Sequence, residues 1–186
     1  MSRIEPINYE QSTGKVKELL DAVKSKLGMT PNMMKTMAQS PAVLEAYLNF
    51  SGALSSGTLD AKLREQIALI SAEVNGCGYC ASAHTAIGKM VGLNDESIVA
   101  ARTGQSSDAK TEAALKFAQT LIVGRGQVGD AEVQAVKTAG FTDGEIGEIV
   151  ANVALNIFTN YFNETAKTEI DFPAIEFPLK SFAVNS

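Results

Sequence analysis

The chain has no tryptophan, a single histidine and only two cysteines in its 186 residues. It lacks a basic excess, since 16 lysines and arginines stand against 21 aspartates and glutamates, for a formal net charge of −5. A nucleic-acid backbone needs a basic face, so nucleic acid is not expected as a partner. No apolar run approaches the roughly 18–20 residues of a membrane span. The opening MSRIEPINYEQS is polar and lacks a basic-plus-apolar signal pattern. A cytoplasmic protein without a membrane partner is the expectation. Period-2 alternation of useful length is also missing, which argues against strands.

What is present is helix after helix. At 45% hydrophobic and 20% charged residues, the composition suits one well-buried domain spanning 1–186. Ser12-Thr13 caps a helix through Leu27, with Gly28 at its C′ position. Pro31 opens a short helix to Ala38, and Pro41 opens another that ends near Gly57. Thr58 to Asp60 begins the helix that carries Glu65, and Asn75-Gly76 breaks it. Ala81 to Val91 reads as the next helix, starting close to Cys77 and closed by Gly92. Asn94 caps a short helix to about Arg102, and Ser107 or Asp108 starts one through Leu121. The GRGQVG stretch at 124–129 lacks the strand and the Lys-Ser/Thr of a phosphate loop and reads as a turn. Asp130 to Thr138 is short, and Thr142 caps a long last helix. From Asp171 onward, Pro173 and Pro178 predict an extended tail over the surface. The fold class is all-α, with a core around the cysteines at about 41–125.

An echo runs through the chain at an offset of 83 residues. Asp60, Glu65 and Ala68 recur as Asp143, Glu148 and Ala151, while Cys77 and Cys80 fall on Asn160 and Asn163. Helical amphipathicity alone produces such matches, so an internal duplication is one of two readings.

The chemistry concentrates between Cys77 and His84. On one helix Cys77, Cys80 and His84 stand at i, i+3 and i+7 and share a face. A thiol reacts as thiolate, which a helix N-terminus and a basic neighbour both favour. Two thiols at this spacing can also close a disulfide. Three other readings compete. A structural zinc site needs four ligands, and a second CxxC is missing, so Glu73 or a neighbouring subunit would have to complete it. A thioredoxin-type site requires a βαβ unit. Core filling accounts for one buried cysteine, less well for two beside the only histidine. By spacing alone Glu65 is a helix-surface charge and Glu73 a solvated one. Met33, Met34 and Met37, with Met29, read first as core filling and second as the lining of an apolar pocket.

Glu65, eleven residues, then C-G-Y-C-x-x-x-H resembles the AhpD-like, carboxymuconolactone decarboxylase superfamily. The flanks TPNMMKTMAQSPAVLEAY and NYFNETAKTEIDFP extend the resemblance from about Gly28 to Pro173. It implies an AhpD-like helical fold, a homo-oligomer (trimer or hexamer), and thiol-dependent reduction of hydroperoxides. In that pattern Cys80 matches the attacking thiol, Cys77 the resolving one, and His84 with Glu65 the proton relay. Tyr79 stands where AhpD has a second histidine, and a phenol is a poor base near neutral pH. No metal, flavin or haem signature is present, so no cofactor or metal is expected, and the dithiol or protein reductant is not named by the chain. Two alternatives stay open: a redox sensor or scaffold using the same disulfide, and a non-redox lactone decarboxylase-type enzyme. The attacking sulfur is contested on physical grounds. Helix position favours Cys77, and the nearness of His84 favours Cys80.

Overall fold

The computed structural model describes residues 2–179. After a 3-10 turn at Tyr9–Gln11, which the sequence did not announce, nine α-helices follow among the described residues. They are α1 (Gly14–Leu27), α2 (Asn32–Met37), α3 (Pro41–Ser55), α4 (Ala61–Val74) and α5 (Gly78–Met90). Then come α6 (Asp95–Arg102), α7 (Ala109–Val123), α8 (Asp130–Thr138) and α9 (Asp143–Ala166). No strand occurs among the described residues. The all-α reading holds.

The caps explain most boundaries. Asp60 accepts from the Leu63 N–H, Asp108 from Thr111, and Asn94 from Ser97. Thr142 and Glu145 form a reciprocal capping box at the head of α9. The 124–129 stretch is a turn, as expected. One boundary moved. α5 begins at Gly78 instead of Ala81, because Cys77 itself is the N-cap, its Sγ accepting the Cys80 N–H at 3.2 Å.

α4 lies at the centre. Gln66 through Glu73 are buried without a break, so this helix has neighbours on every side. It packs against α5, α6, α7 and α9. Two apolar clusters form around it. One gathers Leu63, Ile67 and Ile70 of α4 with Leu115 and Phe117 of α7 and Ile149 and Val153 of α9. The other joins Leu20, Leu44 and the methionines of α2 to Ala72, Cys77, Tyr79 and Cys80. The sulfurs therefore belong to the second cluster. Met33, Met34 and Met37 are buried in it, as core filling requires, whereas Met29 is 40% exposed.

The tail after α9 is non-helical, as expected, but it is not loosely laid over the surface. Phe172, Ile175 and Phe177 pack against the sulfur-bearing cluster. Residues of the tail beyond 179 lie outside the described part. No helix among the described residues is long and apolar enough to cross a membrane.

Candidate active site

The α4–α5 connection delivers the thiols. Gly76 adopts a left-handed φ of 71° after α4, which few other residues tolerate. Its N–H bonds to Glu73 O at 3.2 Å, and the Cys77 N–H bonds to Ala72 O at 2.9 Å. This is a Schellman closure, and it makes Cys77 at once the last anchor of α4 and the cap of α5. Cys77 and Cys80 stand with Cα atoms 5.3 Å apart and their sulfurs at bonding distance. Both are buried, at 0% and 2% exposure.

One turn on, half-buried His84 places Nδ1 2.7 Å from Glu65 Oε2 on α4. A carboxylate on Nδ1 holds the neutral ring in the Nδ1–H tautomer, leaving Nε2 as the basic nitrogen, and stabilises the imidazolium. The four residues named from the sequence are thus brought to one helix pair: Cys77, Cys80 and His84 on one segment, Glu65 on the other. Tyr47 on α3 adds to the same electrostatics. Burial, and then the Glu65 carboxylate, push its phenol up to about 12. It stays protonated across the physiological range.

Tyr79, between the cysteines, takes no part in a relay. Its hydroxyl donates to Asp171 Oδ1 at 2.9 Å and accepts from the Met33 N–H at 3.1 Å. Burial pushes its pKa well above the usual tyrosine range. The side chain ties α5 to α2 and to the tail. Gly78 also serves the tail, since a Cβ there would lie 3.3 Å from a ring carbon of Phe177.

Glu73 overturns an expectation. It is not solvated but 4% exposed, bound to Arg102 of α6 at 2.8 Å. Its other oxygen accepts the Leu179 N–H at 2.6 Å, while Arg102 donates to Glu176 O at 2.9 Å. The carboxylate is committed to this network. Among the described residues no group of three or more His, Cys, Asp or Glu could hold a metal.

Sequence reasoning also missed the asparagines of α9. Asn152, Asn156, Asn160 and Asn163 are all buried. Asn160 Oδ1 accepts from Asn75 Nδ2 at 2.9 Å, and Asn163 Nδ2 reaches Cys80 Sγ at 3.3 Å. The signal was available. The 83-residue echo aligned Asn163 with Cys80, and those two side chains touch.

Residues 41–122 match the carboxymuconolactone decarboxylase family. No curated protein matches the sequence. Among solved structures, an AhpD-core peroxidase-related protein from Ralstonia eutropha is 25% identical, with a TM-score of 0.81 over 91% of this chain and 92% of the other. A cysteine-to-alanine variant of the debrominase Bmp8, in complex with 2,3,4-tribromopyrrole, is 22% identical, with a TM-score of 0.79 over 92% of each chain. A peroxidase-related protein from a Silicibacter species is 20% identical, with a TM-score of 0.78 over 90% of this chain and 92% of the other. Residues 41–122, which hold Glu65, Cys77, Cys80 and His84, are thus similar to the carboxymuconolactone decarboxylase family, and the chain around them has the AhpD-like all-helical fold.

Proposed function

We propose that this chain is a thiol-dependent oxidoreductase that reduces organic hydroperoxides through Cys77 and Cys80. The carrying observation is the meeting of two features on one helix pair: sulfurs at bonding distance, and an imidazole 2.7 Å from a carboxylate. In the dithiol state His84 takes the Cys80 proton, and the thiolate attacks the outer peroxide oxygen. An S–O bond forms, the O–O bond breaks, and the departing alkoxide takes the proton back from His84. The hydroperoxide has become an alcohol and Cys80 a sulfenic acid. Cys77 then attacks the Cys80 sulfur, an S–S bond forms, and water leaves. An external dithiol, small or borne on a protein, restores the pair by exchange and is itself oxidised to a disulfide. The sum is one hydroperoxide and one dithiol giving one alcohol, one water and one disulfide.

Glu65 holds the imidazole for both proton movements. The reading includes a cytoplasmic homo-oligomer, trimer or hexamer. Val150, Phe158 and Tyr161 expose apolar surface on α9 that a neighbouring copy can cover.

The test is steady-state consumption of tert-butyl hydroperoxide with dithiothreitol as reductant. Turnover that disappears in Cys80→Ser is expected. Disulfide formation that changes assembly without turnover makes the protein a sensor and overturns the reading. So does activity that survives replacement of both cysteines, which is the behaviour of a lactone decarboxylase-type enzyme. Offering 2,3,4-tribromopyrrole in parallel gives a third arm, because bromide release in place of peroxide consumption redirects the thiols to dehalogenation.

A further inference from the structure

Each of the two sulfurs meets a different N–H donor. Cys77 Sγ receives the backbone N–H of Cys80, at 3.2 Å, as any N-cap would. Cys80 Sγ receives the side chain of Asn163, from a helix 83 residues further along. Asn163 is 2% exposed, and its backbone carbonyl accepts the N–H groups of Lys167 and Thr168 at the end of α9. Its position is fixed.

The orientation of the carboxamide is fixed too. Nδ2 also lies 3.1 Å from Met33 Sδ, and a thioether can only accept. The nitrogen must therefore face the sulfurs, with both of its protons available to them. Oδ1, on the other side, is buried without a hydrogen-bond partner. As folding material this is a poor choice. Half of the carboxamide contacts weak sulfur acceptors and the other half is unsatisfied, where an apolar residue of similar size would leave nothing unpaired. The arrangement makes sense when Cys80 carries a charge, because the same N–H then forms a charge-assisted bond to a thiolate.

We propose that Asn163 is a catalytic residue of this site: its amide N–H stabilises the Cys80 thiolate and so selects Cys80 over Cys77 as the attacking sulfur. This rests on the reading of Cys80 as the reactive thiol. It adds to His84 a second influence specific to that sulfur. His84 supplies and removes the proton, whereas Asn163 lowers the cost of the charge left behind. Together they offset the advantage that the helix terminus gives to Cys77.

The experiment is a pH titration of the ultraviolet thiolate absorbance in the reduced Cys77→Ser protein, with Asn163 intact and as Asn163→Leu. Removing the donor is expected to raise the Cys80 titration by about one pH unit, a tenfold loss of thiolate at a pH below both midpoints. The same substitution in the Cys80→Ser protein should leave the titration of Cys77 in place. Should the leucine variant not fold, Asn163→Ala removes the same donor without adding charge and gives the reading, with an upward shift at Cys80 and a much smaller one at Cys77. A Cys80 midpoint unmoved by the substitution, or both cysteines shifting alike, overturns the proposal. No peroxide enters the titration. A protein in which Cys80 shifts as expected but no hydroperoxide is consumed therefore loses the proposed function and keeps the role of Asn163.

Discussion

Glu73 on α4 and Arg102 on α6 form an ion pair whose carboxylate side chain is 0% exposed and whose guanidinium side chain is 4% exposed. Both partners then reach the tail, through Leu179 N–H and Glu176 O. Burying two charges is costly, and removing one leaves the other without compensation. Arg102→Ala should therefore destabilise the fold by about 3–5 kcal/mol in chemical denaturation. Replacing both, with Glu73→Leu and Arg102→Met, should recover much of that loss. A double variant that costs the sum of the two single replacements would show that the pair is not coupled.

In the proposed mechanism Glu65 acts through His84, whose Nδ1 lies 2.7 Å from its carboxylate. Glu65→Gln keeps the size of the side chain and takes away the charge that stabilises an imidazolium. Helix content should stay intact by circular dichroism, and thiol oxidation by hydroperoxide should slow roughly 10–100-fold. An unchanged rate in a folded protein reduces Glu65 to a structural partner of the ring.

The order of attack between the sulfurs is open to direct chemical trapping. Cys77→Ser and Cys80→Ser proteins, each given a stoichiometric hydroperoxide and a dimedone-type probe, should differ. Sulfenic acid is expected at Cys80 in the first and none at Cys77 in the second. The reverse pattern would mean that the helix N-terminus outweighs His84 and Asn163.

Glu148 on α9 clasps the loop ahead of α4. Its carboxylate accepts the N–H groups of Thr58 and Leu59 at 2.9 Å and the Thr58 hydroxyl at 2.8 Å. Those backbone bonds, Thr58 first, hold it below the usual glutamate range. A depressed folded-state pKa stabilises the protein above the unfolded value of about 4.3, and that stabilisation is lost as pH falls through the folded value. Glu148→Gln should cost roughly 1 kcal/mol near neutral pH, allowing for its partial exposure. The gap between the two proteins should close in acid. A gap independent of pH would assign the effect to shape alone.

The helices were legible because their ends are written locally, in Asp60, Asn94, Asp108, Thr142 and the Asn75-Gly76 break. So was the cluster of Cys77, Cys80 and His84, since one helical segment carries all three. The rest depended on contacts between distant parts of the chain. Glu73 looked solvated because its partner is 29 residues away on another helix. Tyr79 looked like a substituted relay residue because Asp171, 92 residues on, is invisible to spacing. Asn163 stood in plain view within the echo, but a register of sequence does not say which side chains meet.

The division of the apolar interior has a consequence for what the molecule can become. The cluster that holds the sulfurs also holds Met33, Met34 and Met37, contributed by a helix of six residues. Thioether chains change shape with little change in polarity. The frame of α4, α7 and α9 has its own packed interior. The packing around the sulfurs can therefore be altered apart from that frame: exchanging Met34 or Met37 for leucine changes the sulfur-bearing cluster and leaves the interior of α4, α7 and α9 as it is.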